Sequence, residues 1–522
     1  MSFAYRNAPG GLSRRSFLAT TSSLAAAAVW SSRTYGAVRR NLKLADYPFQ
    51  LGVASGDPSA DGFVLWTRLA PKPLEGGGMP PEPVEVSWQV ADDEGFSKIV
   101  QEGSTTATPE WAHSAHVEVN GLAPDRWYWY RFKMGNDESP KARARTMPAA
   151  GATPEKLRMA FASCQHYESG LYTAYEHMAK DDLDLVFHLG DYIYEGGASP
   201  KGVRKHLGPE IMTLADYRGR YAQYKTDALL QAMHHLAPWI VTWDDHEVEN
   251  NYAGDIPESK QPREEFLQRR AQAYQAYYEH MPLRRSCLPK GPDMSLYRRA
   301  SFGQLAEFHV LDTRQYRTDQ PRSGVKQTDS GGALDPNGTV LGAAQREWLE
   351  QGLAASPAKW NVLAQQIMMA RVDRAPHEKQ SYSMDQWPGY EVDRRRVIKY
   401  LHDRKISNPV VITGDIHSHW ANELIADFDD LGSQNVAVEF VGTSISSGGD
   451  GRAEPSKLAE LYAENPFVKF HGQQRGYVRC TITPGEWRSD YQVVPYISRP
   501  GAPVETKAAF VVEAGQPKLQ KA

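Results

Sequence analysis

The sequence lacks several features that would assign it to a special class of protein. It has 3 cysteines among 522 residues, which excludes a disulfide-built scaffold and leaves at least one thiol unpaired within the chain. Its 59 Lys and Arg nearly balance its 63 Asp and Glu, and no basic tract indicates a nucleic-acid binder. What it has is a hydrophobic content of 41%, enough for a large core, in a length that suggests roughly two to four domains.

The N-terminus carries the pattern of an export signal. The pair Arg14-Arg15 precedes a short, Ala-rich apolar stretch. This stretch is too short and too mildly apolar to span a membrane. Residues 1–37 therefore predict a twin-arginine-type signal that the export machinery reads, and a secreted or periplasmic protein with no stable membrane anchor.

The rest of the chain divides into a β-rich part and an α/β part. Residues 47–147 alternate apolar and polar side chains between turn signals, which predicts a small antiparallel all-β sandwich domain. Residues 139–154 have the composition of a linker. Residues 155–510 alternate short apolar runs with helical patterns, which predicts a layered α/β fold, and residues 511–522 are predicted to form a flexible tail.

Side chains that can carry chemistry follow the ends of five predicted strands. Ligands bind outside the carboxyl ends of strands in layered α/β folds, so these side chains should meet at one edge. Such a concentration of negative charge is unfavourable unless cations neutralise it, which predicts more than one metal ion. The residues are Cys164 after Leu157–Ala162, Asp191 and Tyr194 after Leu183–Leu189, Asp245 and His246 after Trp239–Trp243, Asp312 and Arg314 after Leu305–Leu311, and Asp415 and His417 after Pro409–Thr413.

The types of ligand indicate a mixed metal site. Carboxylates, an amide and a phenol suit hard cations, whereas the thiolate of Cys164 and the imidazole of His417 suit a transition metal. Adjacent metals can activate water and clamp a phosphoryl oxygen, which favours hydrolysis of a phosphate ester. Asp312 and Arg314 could equally form a structural pair in a turn.

As a set, these motifs resemble one family. Gly190–Tyr194 is similar to the GDxxY pattern of metallophosphoesterases, including purple acid phosphatases. Asp244–Glu247 lies where those enzymes carry Gly-Asn-His-Glu, and Gly414–His417 lies where they carry Gly-His-x-His. With Phe161–Gln165 and Leu311–Tyr316 added, nearly the whole chain resembles the PhoD-like alkaline phosphatases.

The resemblance implies a fold and a set of metal ligands. The fold would be a metallophosphoesterase-type β-sandwich flanked by helices, and the metals would be Fe³⁺ with two Ca²⁺. Either Gln365 or Gln366 could lie where purple acid phosphatases use a further histidine. The ligands carried over by motif are Cys164, Asp191, Tyr194, Asp415 and His417 for iron, and Asp245 and Asn251 for calcium.

The resemblance also implies an activity. The protein would be a secreted phosphatase that releases inorganic phosphate from small monoesters, and from some diesters, by attack of a metal-bound oxide or hydroxide on phosphorus. His246 would contact a phosphate oxygen or protonate the leaving group, and Arg204 could reach the phosphate. The loop at Ser446–Gly451 could cover or flank the site.

Three questions remain open at the level of sequence. The same metal site would serve a phosphodiesterase or a phospholipase D-type hydrolase, with nucleic acid at most a substrate. An exported, non-enzymatic protein that binds metal or cell wall is a second alternative. Cys287 and Cys480 could form a disulfide after export.

Overall fold

The computed structural model describes residues 38–40, 42–321, 332–375 and 380–522, so the export signal predicted for residues 1–37 lies outside the described residues. The chain folds into a mixed α/β structure, as predicted. Its strands are β1 (Val53–Ser59), β2 (Gly62–Arg68), β3 (Val84–Ala91), β4 (Ile99–Ala107), β5 (Ser114–Val119), β6 (Trp127–Met134), β7 (Asp137–Glu138), β8 (Ala142–Arg145), β9 (Leu157–Ala162), β10 (Leu185–Leu189), β11 (Trp239–Thr242), β12 (Arg298–Phe302), β13 (Ala306–Val310), β14 (Trp360–Ala364), β15 (Pro409–Thr413), β16 (His419–Ile425), β17 (Asn435–Val441), β18 (Val468–Gly472), β19 (Arg475–Ile482), β20 (Glu486–Val494), β21 (Glu505–Glu513) and β22 (Gln520–Lys521).

Two large sheets form the centre of the molecule. One has ten strands in the order β22-β21-β20-β19-β9-β10-β11-β1-β2-β5, and the other has seven in the order β12-β13-β14-β15-β17-β16-β18. The helices are α1 (Thr173–Met178), α2 (Leu214–Lys225), α3 (Ala228–Leu236), α4 (Arg263–His280), α5 (Gly342–Ala355), α6 (Glu391–Asp403) and α7 (Leu458–Glu464).

The strands of this centre are apolar because both of their faces are buried. In β10, Leu185 and Phe187 point into the core between the two sheets, while Val186 points to the opposite face. On that face α1 to α4 pack against the ten-stranded sheet, and α5 to α7 pack against the outer face of the seven-stranded sheet. Parallel strands covered on both faces carry continuous apolar runs, which is the pattern seen in the sequence.

The N-terminal part is not separate from the rest. Its strands β3, β4, β6, β7 and β8 form a smaller sheet, but β1, β2 and β5 extend the ten-stranded sheet through a parallel contact of β1 with β11. Strand β8 lies inside the segment 139–154, so the linker predicted there is wrong over those four residues.

The predicted flexible tail at 511–522 is also wrong. Strand β21 runs to Glu513 and pairs with β20, and β22 then pairs with β21. Val512 and Leu519 are buried against the core between the two large sheets. Within the described residues, no helix is long and apolar enough to cross a membrane.

Candidate metal centre

The predicted ligands lie in loops that begin where parallel strands end. Cys164 follows β9, Asp191 follows β10 and Asp415 follows β15, and all three have left-handed backbones with φ of 59°, 56° and 61°. This conformation is unfavourable for residues with a side chain and persists where the surroundings hold it. Here the N–H of Cys164 donates to the carbonyl of Gly190 at 3.0 Å, which fixes the first loop against the second.

Two glycines allow these loops to approach each other. A Cβ at Gly190, which has a φ of 104°, would lie 2.5 Å from the Cβ of Asp244. A Cβ at Gly414 would lie 2.2 Å from the hydroxyl oxygen of Ser163. Because real Cβ atoms do not come this close to other heavy atoms, the convergence of the strand ends depends on glycine at both positions.

Four of the five residues predicted to hold iron come together, and the fifth, Asp415, lies beside Asp191 in the carboxylate group. One ligand atom from each of Cys164, Asp191 and His417 lies within 4.8 Å of the others. The Tyr194 hydroxyl donates to Asp191 Oδ2 at 2.8 Å and lies 3.2 Å from Nε2 of His417. A thiol, a carboxylate, a phenol and an imidazole therefore face one point.

A second group of ligands shares Asp191 with the first. Carboxylate oxygens of Asp191, Asp244, Asp245 and Asp415 all lie within 4.8 Å of one another. One oxygen on each of Asp191, Asp244 and Asp245 is buried without a hydrogen-bond partner. Buried carboxylate oxygens without donors are costly unless a cation binds them, so these residues fit the metal ions that the sequence predicts.

Without cations, the negative charges of this cluster repel one another. Burial, reinforced by neighbouring carboxylates, raises the pKa of Asp191 and of Asp244 well above the ordinary value. Burial and Asp385 raise the pKa of Asp415 to about 7. Burial, with Asp191 and Asp415 nearby, also raises the pKa of the Cys164 thiol. The cluster therefore holds its proton-free, ligating state only with positive charge nearby.

Part of that positive charge comes from Arg314, a residue for which the sequence left the role open. Its guanidinium is fully buried, donates to Asp244 and forms two bonds of 2.7 and 2.8 Å with Asp385. It also lies 3.6 Å from oxygens of Asp245 and Asp415. The Asp312 carboxylate accepts from the backbone N–H of Arg314 at 3.0 Å and from Gln315, so the two residues are joined in the turn through the backbone of Arg314, while the Arg314 guanidinium bonds other carboxylates.

Glu247 ties two strand ends together, and its role was not predicted. Its carboxylate accepts from the N–H groups of Asp191 at 3.1 Å, Tyr192 at 2.6 Å and Asp244 at 2.8 Å. Burial raises its pKa to about 7 despite these three donors. Its position four residues after an apolar strand gives no signal that distinguishes it from an ordinary turn residue.

His246 lies beside the cluster and is held from behind. Its Nδ1 is 2.6 Å from Oε2 of Glu195, and its ring stacks at 4.1 Å on Tyr194 with a tilt of 34°. A ring nitrogen of His246 lies within 4.8 Å of carboxylate oxygens of Asp191 and Asp245. Although burial opposes protonation, Glu195, Asp245 and Asp191 raise the pKa of His246 well above its ordinary value.

Comparisons with known proteins agree with this geometry. The model of the PhoD-like phosphatase family matches residues 159–491, and that of its N-terminal domain matches residues 36–148.

The chain belongs to the PhoD-like phosphatase family.

Two relatives extend this result over most of the chain. Alkaline phosphatase D of Bacillus subtilis (strain 168) is 54% identical over 480 residues, which cover 91% of this chain and 82% of that protein. A solved structure entitled "Structure of PhoD" superposes with a TM-score of 0.90 at 53% identity, covering 92% of this chain and 93% of that one. The predictions of the family and of a phosphatase are confirmed.

Asn251 contacts the cluster of this PhoD-like phosphatase through its backbone. Its N–H donates to Asp245 Oδ2 at 2.6 Å, and its side-chain amide donates to Glu258 at 3.0 Å. The residue has a φ of 51°, like the ligands on the strand ends. A role for the Asn251 side chain in binding calcium stays a prediction.

Arg204 is not brought to this cluster. Its guanidinium pairs with Asp227 at 2.6 Å, donates to the carbonyl of Tyr167 at 2.9 Å and stacks at 3.8 Å on the Tyr167 ring. These contacts hold the loop in place and leave the predicted contact with phosphate without structural support. A long side chain in a loop gives no sequence signal of the direction in which it points.

The remaining open questions of the sequence concern two pairs of residues. The side-chain oxygen of Gln365 accepts from Trp387 at 3.1 Å, and that of Gln366 accepts from Thr313 at 2.6 Å, so both amides are engaged within the protein. Cys287 and Cys480 are buried in different cores and are unpaired, as is Cys164.

Proposed function

We propose that this PhoD-like phosphatase hydrolyses phosphate monoesters, and some diesters, at the metal cluster on its strand ends. The observation that carries the proposal is the convergence of Asp191, Asp244 and Asp245: each has a carboxylate oxygen within 4.8 Å of the others, and each has a buried carboxylate oxygen without a donor. The name of the relative, alkaline phosphatase D, supports a monoesterase. Membership in a phosphatase family favours an enzyme over the non-enzymatic binding protein.

The donor sets support two kinds of metal. We assign Fe³⁺ to the thiolate, phenolate and imidazole side, held by Cys164, Asp191, Tyr194, Asp415 and His417. We assign two Ca²⁺ to the carboxylate side, where Asp244 joins Asp245 and Asn251 as a candidate ligand. When bound, such ions lower the pKa of a coordinated water and neutralise charge on phosphoryl oxygens.

The residues around the cluster position the substrate and move a proton. Glu195 holds Nδ1 of His246 at 2.6 Å, so the imidazole keeps one orientation beside the carboxylates. An imidazolium held in this way can donate a hydrogen bond to a phosphate oxygen or give its proton to the leaving alkoxide. General-acid help of this kind contributes roughly 10²–10⁴ in rate.

The proposed location follows from the sequence of the N-terminus. The Arg14-Arg15 pair and the apolar stretch after it support export by the twin-arginine route to the periplasm or the outside of the cell. Export in the folded state would allow the cluster to be loaded with metal before secretion.

The test replaces Asp191, which both halves of the cluster share. Asp191→Asn should lower phosphate release from a monoester by more than the roughly 10–100-fold that loss of an outer-shell partner costs, and should reduce the bound iron and calcium. Asp403→Asn makes the same change of charge on an exposed helix and serves as the matched control. Activity of Asp191→Asn at the wild-type level would overturn the proposal.

Two further measurements separate the finer parts of the proposal. Fe³⁺ bound to Cys164 and Tyr194 should give visible charge-transfer absorption, which an active but colourless and iron-free enzyme would contradict. A matched bis-ester assayed beside the monoester measures the share of diesterase activity.

A further inference from the structure

A cavity of about 590 Å³ opens beside His417, next to the metal cluster but outside it. It is lined by four cationic side chains, Arg374, Arg452, Lys457 and Arg475, and we call it the cationic cavity. Part of its wall is the loop at Gly448–Gly451, which the sequence suggested would flank the site. Because His417 belongs to both the cavity and the cluster, the cavity adjoins the place where the proposed function puts the phosphate ester.

Within the described residues, the positive charge of the cationic cavity is not matched by ion pairs. None of its four cations forms an ion pair with a carboxylate in the part of the chain that the structure describes. Asp450 is the one acidic side chain on the described wall, and its carboxylate is turned toward another loop. There it accepts from the N–H of Ile497 at 2.7 Å and from the N–H and hydroxyl of Ser498 at 2.9 Å.

Arg475 is the strongest sign that the cavity is a binding site. The residue is only 5% exposed, and its Nε is buried without a hydrogen-bond partner. Its Nη1 donates to the carbonyl of His417 at 2.7 Å and to the hydroxyl of Ser444 at 2.6 Å, which fixes the guanidinium beside a candidate metal ligand. A buried guanidinium without an anion is costly, so the site is built for an anionic partner.

We propose that the cationic cavity binds a second anionic group, a phosphate or a carboxylate, on the same substrate whose phosphate ester is cleaved at the cluster. This inference rests on the proposed function of the cluster and narrows its substrates to phosphate esters that carry another anion. Arginines suit this task because their planar guanidinium groups bind oxyanions through paired hydrogen bonds.

The experiment compares substrates that differ only at their far end. Alkyl phosphates of three to eight carbons are prepared with a terminal hydroxyl, carboxylate or second phosphate, and kcat/KM for release of inorganic phosphate is measured for each. At the best length, the wild-type enzyme should prefer one or both anionic compounds over the hydroxyl compound by about tenfold, mainly through KM. The preference should fall as salt is added.

The variants test whether the cavity is the origin of this preference. In the double variant Arg374→Gln/Arg452→Gln, which changes two exposed side chains, the ratio of kcat/KM values should fall to within about twofold. Arg404→Gln removes an exposed arginine from the end of α6, outside the cavity, and should keep the wild-type ratio. A preference that survives the double variant, or no preference in the wild type, would overturn the proposal.

A binding measurement keeps this test separate from turnover. Calorimetry with the matched alkane bisphosphonate, which cannot be hydrolysed, should show about tenfold weaker binding to the double variant than to the wild type. Equal affinities would overturn the cationic cavity as an anion site. If the bisphosphonate binds as expected but no ester is hydrolysed, the failure lies with the function proposed for the cluster.

Discussion

At the scale of single residues, the cluster depends on side chains that hold the ligands as much as on the ligands themselves. Glu247 illustrates this, since one carboxylate accepts from the backbone of Asp191, Tyr192 and Asp244. Groups of this kind commonly change metal affinity or activity by roughly 10–100-fold when they are replaced. Replacing Glu247 should therefore lower both the activity and the stability of the protein.

We expect Glu247→Gln to lower activity and metal content by roughly 10–100-fold and stability by about 1–3 kcal/mol. The substitution keeps the size of the side chain, but its NH₂ group faces a backbone N–H that has lost its acceptor. Metal analysis, a monoester assay and urea denaturation measure these effects. Glu249→Gln changes a buried carboxylate of the same segment that bonds Ser259 and Arg269 instead, so it should keep the metal content. Full metal content in Glu247→Gln would contradict the assigned role.

Lys225 is a second residue whose environment leads to a prediction, which concerns the pH dependence of stability and not catalysis. Its ammonium is buried without a hydrogen-bond partner, 4.2 Å from the ring of Trp66, and burial lowers its pKa to about 7. Between pH 7 and the pKa of about 10.4 in the unfolded chain, the unfolded state binds more protons. Stability from this group therefore rises with pH, by up to about 1.4 kcal/mol per pH unit.

The corresponding variant is Lys225→Met. It should be more stable than the wild type at pH 7, and the difference should shrink as the pH rises toward 10. Urea denaturation at pH 7, 8 and 9 gives the slope of the free energy of unfolding against pH for the variant and for the wild type. Lys201→Met, a change at an exposed lysine, should have the same slope as the wild type. A constant difference between Lys225→Met and the wild type across this range would rule out the explanation.

The sequence predicted some of these residues and not others for a physical reason. Asp191 and Asp415 directly follow apolar strands, and the carboxyl ends of parallel strands meet, so their convergence could be deduced. Asp385 does not follow a predicted apolar strand, and its contact with the cluster through Arg314 depends on tertiary structure. The direction in which an arginine side chain points depends on tertiary contacts, so the pairing of Arg204 with Asp227 could not be deduced from the sequence.

At the scale of elements, strand ends and helices were largely predictable because their patterns are local. The helical pattern over Arg263–His280 and the apolar runs Leu157–Ala162 and Pro409–Thr413 agree with the observed bounds of α4, β9 and β15. The order of the last residues could not be predicted, because β22 is an exposed edge strand of two residues and the segment between it and β21 has no apolar alternation. β22 is ordered by pairing with β21, which in turn pairs with β20, and these are long-range contacts that no local pattern indicates.

The junctions between strand and loop provide a test at this scale. We expect Gly414→Ala to lower stability by about 1–3 kcal/mol, because the new methyl group would lie 2.2 Å from the Ser163 hydroxyl and must push the loops apart. A displacement of about 1 Å in the loop that carries Asp415 should lower activity by roughly 10²-fold. Denaturation and a monoester assay measure the two effects.

The control is a glycine with free space around it. Gly219 lies in α2 with no atom near its would-be Cβ, so Gly219→Ala should raise stability by roughly 0.5–1 kcal/mol and leave activity unchanged. If Gly414→Ala kept its activity and lost no stability, as expected of Gly219→Ala, the cluster would not depend on the close approach of the loops.

At the scale of the whole molecule, the buried carboxylates couple metal binding to the stability of the fold. Asp415 has a pKa of about 7 in the metal-free fold, so the folded state binds more protons than the unfolded state between about pH 4 and 7. Stability of the metal-free protein should therefore fall as the pH rises through this window. Thermal unfolding after chelation at pH 5.5 and 7.5 should show a lower Tm at pH 7.5, and restoring Fe³⁺ and Ca²⁺ should remove most of the difference. An unchanged Tm after complete removal of metal would contradict this coupling.

We expect the shared ten-stranded sheet to make the molecule unfold as one unit. The sequence indicated a domain boundary near residue 150, but β1 joins β11, and a Cβ at Gly56 would lie 2.7 Å from the carbonyl of Trp239. Trp66 donates to the carbonyl of Glu279 at 2.9 Å, and Arg298 pairs with Asp57 at 2.7 Å, so polar and apolar contacts both cross the boundary. Loss of the N-terminal strands would expose the edge of β11 and part of the core.

We therefore expect one calorimetric transition for residues 38–522, and residues 150–522 expressed alone should not fold into an active enzyme. Two resolved transitions, one of them reproduced by the isolated 150–522 segment, would show that the two parts fold independently in spite of the common sheet.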